Sequence, residues 1–275
     1  MVNKNATLFL VATPIGNLNE VTPRALDVFR NVEVIACEDT RNSVKLLTHF
    51  DIHTKLITYH NFNEENSTKG IISLLEEGKD VALISDAGYP LISDPGYVLV
   101  NEVINKGFNI QTISGPSAGI NALVASGLNT NHYLFYGFLN SKPTLAKKEL
   151  KELIDFPYTL IFYEAPHRIE KTLKMCLEVF GNRKAVIARE LTKLHEEYLR
   201  GTLEELTTLT DIKGEIVLLI EGKINEKQEI SLESLLPQVE QLVKQGYKTK
   251  KAVQDIANEY NVSKNELYNQ YVKDK

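Results

Sequence analysis

Short apolar runs alternate with helical patterns along the first part of the chain, and this alternation most constrains the fold. Five runs are typical of strands: TLFLVAT, VEVIACED, KLITYH, DVALISD and NIQTIS. The stretches between them carry helix signals, with Thr22-Pro23 at a helix start and Gly78 and Gly107 at helix ends. Strands that are apolar on both faces and alternate with helices predict a parallel α/β sheet, which we place at residues 1–117.

A second set of strand and helix patterns follows a linker-like GLNTN segment. We expect a second α/β domain with a mixed sheet over residues 118–224. The polar segment INEKQEI comes next, and residues 231–275 then predict three helices with apolar residues at helical spacing. Ser263 is a natural N-cap for the last of them, and the last two helices have helix-turn-helix spacing.

Composition sets limits on the class of protein. The 275 residues are 43% hydrophobic and 24% charged, which is ordinary for a globular protein. No apolar run reaches the roughly 20 residues that span a bilayer, so we expect no membrane association. Cys37 and Cys176 form no metal-ligand pattern and fit a reducing compartment, so we expect a cytoplasmic protein without a metal. The net charge of −5 disfavours non-specific coating of nucleic acid but allows local basic patches.

The strand ends of the first domain are the place to expect a ligand, because open α/β sheets bind ligands beyond the carboxyl ends of their strands. Four such ends are rich in turn-forming and polar residues: ATPIGNL, CEDTRNS, SDAGYPLISDPG and SGPSAG. Asp39, Asp86 and Asp94 can accept hydrogen bonds from ribose hydroxyls or amines. Ordinary turns with N-capping aspartates are the alternative for any one loop. The chain has neither a GxGxxG nor a GxxxxGK[ST] motif, which disfavours dinucleotides and nucleoside triphosphates.

The ordered motifs ATPIGNLNEVTPRAL, EDTR, SDAGYPLISDPG, GPSA, YEAPHR and ARELTKLHEE closely resemble one family over essentially the whole chain. It is the family of small-subunit ribosomal RNA methyltransferases I, which are 16S rRNA cytidine 2′-O-methyltransferases. It belongs to the tetrapyrrole-methylase-like (class III) methyltransferases. The resemblance implies two α/β domains with S-adenosylmethionine between them, a homodimer, and a cytidine of the decoding centre in the small subunit as target.

The resemblance also implies residues that contact the methyl donor. They are Asp86, Ala87, Gly88, Ser117, Ala118, Tyr163, Ala188, Glu190, Leu191, Gly214 and Glu215. Pro14, Gly16 and Asn17, which follow the first strand, would line the acceptor side of the cleft. The sequence departs from the family at Tyr89 and Leu91, where Thr and Gly are more usual, so the contacts of that loop stay open.

A ribose hydroxyl is a poor nucleophile at neutral pH, so a base or a charge that stabilises the alkoxide would help. Glu190, Lys193 and Asp39 are our candidates for catalysis. Arg24, Arg41, His167 and Arg168 are candidates for holding RNA phosphate. The alternatives are solvated helix-start charges for Arg24, Arg41 and His167, and an ion pair with Glu164 for Arg168.

The terminal helices carry Lys248, Lys250 and Lys251, which we expect to contact the rRNA. Tyr260, Tyr268 and Tyr271 could stack on bases, or could form the core of a small helical cap. Two other functions stay open at this point. A methylase of a small tetrapyrrole-type acceptor would not need the terminal helices. A non-enzymatic nucleic-acid-binding regulator would not need the polar strand ends and would not bind S-adenosylmethionine.

Overall fold

The computed structural model describes residues 6–60, 64–223, 231–260 and 262–273. Contacts divide the chain into two compact units, Met1–Lys223 and Ile224–Lys275. The first unit holds two five-stranded sheets, and the second holds helices. The α/β fold with terminal helices is confirmed. The boundary drawn at residue 117 inside the first unit stays a prediction.

The first sheet is entirely parallel, with strand order β3-β2-β4-β1-β5. Its strands are β1 (Thr7–Val11), β2 (Val34–Cys37), β3 (Lys55–Thr58), β4 (Val81–Ile84) and β5 (Asn109–Ile113). Its helices are α1 (Pro23–Asn31), α2 (Thr40–His49), α3 (Glu64–Glu76) and α4 (Tyr97–Lys106). These are the strands predicted from the apolar runs.

Helices cover both faces of this sheet, which explains why its central strands are apolar throughout. Leu8 and Leu83 pack with Leu75 of α3 and Val103 of α4. On the other face, strand residues such as Ile35 pack with Phe29 of α1 and Leu47 of α2. The helix signals are confirmed as well. The Thr22 side chain accepts a hydrogen bond from the Ala25 backbone N–H, and Gly107 ends α4 in the left-handed conformation.

The second sheet is mixed, with strand order β6-β7-β10-β8-β9. Its strands are β6 (Tyr133–Phe138), β7 (Thr159–Glu164), β8 (Lys184–Arg189), β9 (Glu197–Thr202) and β10 (Ile216–Ile220). Only the β6–β7 pair is parallel among the pairings of this sheet in the described residues. Helix α5 (Ala118–Ser126) packs on one face. Helices α6 (Pro143–Glu152), α7 (Ile169–Phe180) and α8 (Leu203–Leu206) cover the other.

The second unit comprises α9 (Leu232–Lys244), α10 (Thr249–Glu259) and α11 (Lys264–Lys273). It has its own apolar core, which includes Val239, Val253 and Leu267. Tyr271 is buried in that core, so its ring is not available for stacking on a base. The Ser263 hydroxyl accepts a hydrogen bond from the Glu266 backbone N–H at 3.4 Å, as expected of an N-cap. Within the described ranges, no helix is both long and apolar enough to cross a membrane.

Candidate functional site

A cavity of about 450 Å³ lies within the first unit, among strand ends and adjoining loops of its two sheets. Nine of the residues predicted to contact a methyl donor line it: Asp86, Ala87, Gly88, Ser117, Ala118, Tyr163, Leu191, Gly214 and Glu215. The remaining lining residues were not among those predicted to contact the donor: Ile15, Tyr89, Ile92, Ser93, Asp94, Phe138, Glu164, Ala165, Pro166, Ile216 and Val217. Most of these residues are adjacent in sequence to the predicted ones, so their position within the same motifs could have identified them.

Ala188 and Glu190 do not line this cavity. Ala188 is fully buried on the interior strand β8, where it pairs with Val217 on one side and Tyr198 on the other. Glu190 supports the cavity wall from behind. Gly214 has a φ of +91° and lies so close to Glu190 that a Cβ atom would overlap that side chain. A side chain at position 214 is therefore excluded both by conformation and by space.

The segment Ser85–Gly96, called here the first loop, is fixed to the loop after β1. Thr13 and Gly88 exchange backbone hydrogen bonds of 2.9 and 3.0 Å. The Tyr89 hydroxyl accepts a hydrogen bond from the Gly115 backbone N–H at 3.2 Å. The bulky tyrosine at this position is thus accommodated by bonding to the loop after β5. Leu91 and Ser93 have φ values of +71° and +68°, which are unusual for residues other than glycine.

The segment Glu190–Glu196, called here the second loop, contains an ion-pair network. The Lys193 ammonium lies 2.9 Å from Glu190 Oε1 and 3.0 Å from Glu215 Oε2. Glu190 Oε1 also accepts from the Glu215 backbone N–H at 3.0 Å. These bonds, that from Lys193 first, lower the pKa of Glu190. Burial lowers the pKa of Lys193, but hydrogen bonds to Glu190 and Glu215 outweigh it and leave the pKa raised. The network keeps Glu190 ionised and Lys193 protonated at neutral pH.

The second loop touches the loop after β1 at Gly16. A Cβ atom on Gly16 would lie 2.7 Å from Lys193 Cγ and 3.0 Å from the Leu191 carbonyl oxygen. The absence of a side chain therefore allows the two loops to approach closely. The Asn17 side-chain oxygen caps the short turn Leu18–Glu20 by accepting from the Asn19 backbone N–H. Pro14, two residues before Gly16, is half-buried.

A buried carboxylate lies at the end of β7. Glu164 is 3% exposed, and its Oε1 accepts from the Ala165 backbone N–H at 2.8 Å and lies 3.2 Å from Arg168 Nε. Its Oε2 accepts from the Thr172 hydroxyl at 2.6 Å. Arg168 also donates to the carbonyl oxygens of Leu139 and Asn140 at 3.0 and 3.1 Å. The guanidinium is engaged inside the protein, which matches the ion-pair alternative to phosphate binding.

The other predicted site residues lie outside the cavity lining. Asp39 caps α2 by accepting from the Arg41 backbone N–H, and its hydrogen bonds to Arg41 lower its pKa to about 2. Arg24 donates to the Gln111 side chain at 3.3 Å and is exposed, as is His167. In the second unit Lys248, Lys250 and Lys251 are exposed, and Lys251 pairs with Asp255. Among the residues that the structure describes, no group of three or more acidic, His or Cys side chains is placed to hold a metal.

Comparison with known proteins identifies the family. Residues 7–207 match the model of the tetrapyrrole (corrin/porphyrin) methylases. Two curated relatives named ribosomal RNA small subunit methyltransferase I are similar over nearly the whole chain. The one from Halalkalibacterium halodurans is 47% identical over 272 residues, covering 96% of this chain and 94% of the relative. The one from Bacillus subtilis is 42% identical over 272 residues, covering 96% and 93%. The chain belongs to the ribosomal RNA small subunit methyltransferase I family.

Solved structures support the fold of this chain at lower sequence identity. Uroporphyrin-III-C-methyltransferase from Thermus thermophilus is 20% identical with a TM-score of 0.56, covering 79% of this chain and 94% of that one. Diphthine synthase is 16% identical with a TM-score of 0.61, covering 80% and 90%. At such identities the likeness concerns the fold alone. The family resemblance predicted from the ordered motifs is confirmed.

Proposed function

We propose that this methyltransferase transfers the methyl group of S-adenosylmethionine to the ribose 2′-hydroxyl of a cytidine in the decoding centre of 16S rRNA. The observation that carries the proposal is the cavity, which gathers nine predicted donor residues from both sheets into one wall. The names of the relatives support ribosomal RNA of the small subunit as the acceptor.

The cavity fits such a donor in size and chemistry. Its volume of about 450 Å³ lies in the range of ligand pockets. Much of its wall is apolar, from residues such as Ile15 and Val217, and its polar groups include Asp86 and Glu215. These carboxylates suit the amine, the ribose hydroxyls and the positive charge of the donor. Bound there, S-adenosylmethionine supplies a methyl group activated by its positively charged sulfur. The protein then has to orient the acceptor oxygen in line with the sulfur–methyl bond.

The loop after β1 is our proposal for the acceptor side, with Pro14, Gly16 and Asn17 next to the second loop. The protonated Lys193 would stabilise negative charge that develops on the ribose oxygen or the neighbouring phosphate. We assign to Arg24, Arg41 and His167 a role in holding the RNA backbone, since all three are exposed. Arg168 and Asp39 support the protein around the site rather than the reaction.

The helical second unit would hold the substrate through Lys248, Lys250 and Lys251. We further propose that the enzyme acts as a homodimer in the cytoplasm. A small tetrapyrrole-type acceptor is the weaker alternative, because such a molecule gives no role to a separate helical unit with exposed lysines.

The test has two stages, both with the intact chain. Calorimetry should detect S-adenosylmethionine binding with micromolar affinity and one site per chain. Small ribosomal subunits lacking the modification should then accept a labelled methyl group, and mapping should locate it at one cytidine 2′-oxygen. Donor binding without transfer to RNA would reject the acceptor, and methylation of a base would reject the 2′-hydroxyl. No donor binding would reject the enzymatic proposal as a whole.

A further inference from the structure

We propose that Asp94 is the general base that takes the proton from the ribose 2′-hydroxyl. This inference rests on the proposed function and assigns the base to an aspartate that the sequence predicted only as a hydrogen-bond acceptor. Asp94 lies in the first loop, lines the cavity and is half-buried. It differs from the other carboxylates near the cavity in the hydrogen-bond donors and charges that surround it.

Glu164 and Glu215 are poor candidates because partners within the protein already engage their carboxylates. Glu164 accepts from the Ala165 backbone N–H and the Thr172 hydroxyl, and it forms an ion pair with the Arg168 guanidinium. Glu215 is paired with the Lys193 ammonium. A carboxylate oxygen that already accepts from a cation or a hydrogen-bond donor is less available to a substrate hydroxyl. The two other predicted acids, Glu190 and Asp39, are stabilised in the same way by Lys193 and Arg41.

The two aspartates of the first loop differ from each other. Asp86 is exposed to solvent and accepts from the Asn42 side-chain amide at 2.9 Å. Asp94 is shielded, and within the described ranges both charges that act on it are negative, those of Glu38 and Asp86. Such surroundings favour the protonated form of a carboxyl group. Asp94 is therefore the wall carboxylate best suited to accept a proton.

The backbone holds Asp94 in place. Leu91 and Ser93 precede it with φ values of +71° and +68°, in a conformation that is costly for residues other than glycine. Leu91 packs against the core of the first sheet, and Glu64 accepts from the Gly96 backbone N–H at 3.2 Å. A strained segment fixed at both sides is a common way to present a reactive side chain.

The proton affinity of Asp94 supports this role. Burial, followed by the charges of Glu38 and Asp86, raises its pKa to about 6, although a hydrogen bond from Ser85 opposes the rise. From the second sheet it faces Tyr163, whose own pKa is raised by burial and by the charge of Asp94. A base with a pKa near the working pH is ionised yet still binds a proton well.

The reaction step balances with the donor of the proposed function. The ribose oxygen forms a bond to the methyl carbon, and the carbon–sulfur bond breaks with its electron pair left on sulfur, which becomes a neutral thioether. The hydroxyl proton moves to a carboxylate oxygen of Asp94 and is later released to water.

The experiment measures single-turnover methylation of unmodified small subunits from pH 5 to 9, with calorimetry of donor binding. In the wild type the rate should rise with pH and level off above an apparent pKa near 6. The Asp94→Asn variant should lose about 10²- to 10⁴-fold in rate and should lose this rise, with donor affinity changed less than about threefold. Asp94→Glu should recover part of the rate, because it restores a carboxylate at a shifted position.

Two matched variants make the result specific. Asp27→Asn removes an exposed carboxylate of α1 and should leave the profile unchanged. Asp86→Asn should weaken donor binding and keep the pH-dependent rise, moved to lower pH because the Asp86 charge helps to raise the pKa of Asp94. If Asp94→Asn retains the wild-type rate and profile, Asp94 is not the base. If its donor affinity falls in proportion to the rate, Asp94 binds the donor and the inference is equally overturned. Both outcomes leave the proposed function intact, whereas an inactive wild type would reject that function.

Discussion

The two loops that contribute to the cavity lining resemble one another in backbone and differ in charge. The first loop, Ser85–Gly96, has positive φ values at Leu91 and Ser93, and the second loop, Glu190–Glu196, has them at Glu190 and Thr192. Lys193 of the second loop pairs with both Glu190 and Glu215, and Glu190 also accepts from a backbone N–H. In the first loop Asp94 is near other carboxylates.

This difference in charge indicates that the two loops have different roles. The paired charges of Glu190 and Lys193 support the cavity wall from behind, and their protonation does not change near neutral pH. The first loop keeps a carboxyl group in surroundings that penalise its charge, which costs stability and preserves reactivity. Substitutions in the two loops should therefore have different consequences.

The largest effect on stability is expected at Gly214→Ala. The substitution places a Cβ atom on Glu190 and forces a positive φ on alanine, so the free energy of unfolding should fall by about 3 kcal/mol. Gly127 is a matched control, because it has a φ of +83° and open space where a Cβ atom would lie. Gly127→Ala should cost only about 1 kcal/mol. Equal losses in urea unfolding of the two variants would show that the Glu190 contact contributes nothing.

The next effect is expected from Lys193→Met. It removes the cation that Glu190 and Glu215 share and should lower stability by about 1.5 kcal/mol. A double-mutant cycle with Glu190→Gln tests the pair directly, because the double variant should lose less than the sum of the single losses. Additive losses would mean that the second loop is not held by this network.

Asp94→Asn should act in the opposite direction and stabilise the protein. Folding raises the pKa of the Asp94 carboxyl group, so ionising it costs more in the native state than in the unfolded chain. The free energy of unfolding therefore falls as the pH rises from about 4 to about 6. After allowance for solvent screening we expect a gain of about 1 kcal/mol at pH 8, or about 2–4 °C in Tm. The gain should vanish below about pH 4. A variant less stable than the wild type at pH 8 would contradict the environment described for Asp94.

The smallest effect is expected from substitutions outside both loops, and it concerns substrate binding. Replacing Lys248, Lys250 and Lys251 by alanine should raise the KM for small subunits several-fold, with kcat and donor affinity unchanged. The difference from the wild type should shrink as salt is added, because phosphate contacts are screened. An unchanged KM at low salt would remove these lysines from the substrate contacts.

The sequence predicted the strands of both sheets because their apolar runs are short and are separated by helices with clear start and end signals, as at Thr22-Pro23 and Gly107. It also indicated most of the cavity wall, since the motifs mark where strands end. The sequence did not distinguish Asp94 from Asp86 as a candidate base. The two aspartates lie in one motif, and their burial and charged neighbours differ only once distant segments meet in the folded chain. The partner of Arg168 was open for the same reason: the carbonyl oxygens of Leu139 and Asn140 approach it only in the folded chain.

The contrast between the loops can be measured directly by carbon-13 NMR of side-chain carboxyl groups across a pH titration. Spectra of Asp94→Asn and Glu190→Gln would assign the two signals. We predict that Asp94 titrates with a midpoint near pH 6, while Glu190 titrates below the ordinary value for a glutamate. A midpoint for Asp94 at or below about 4, the ordinary range for an aspartate, would contradict the account.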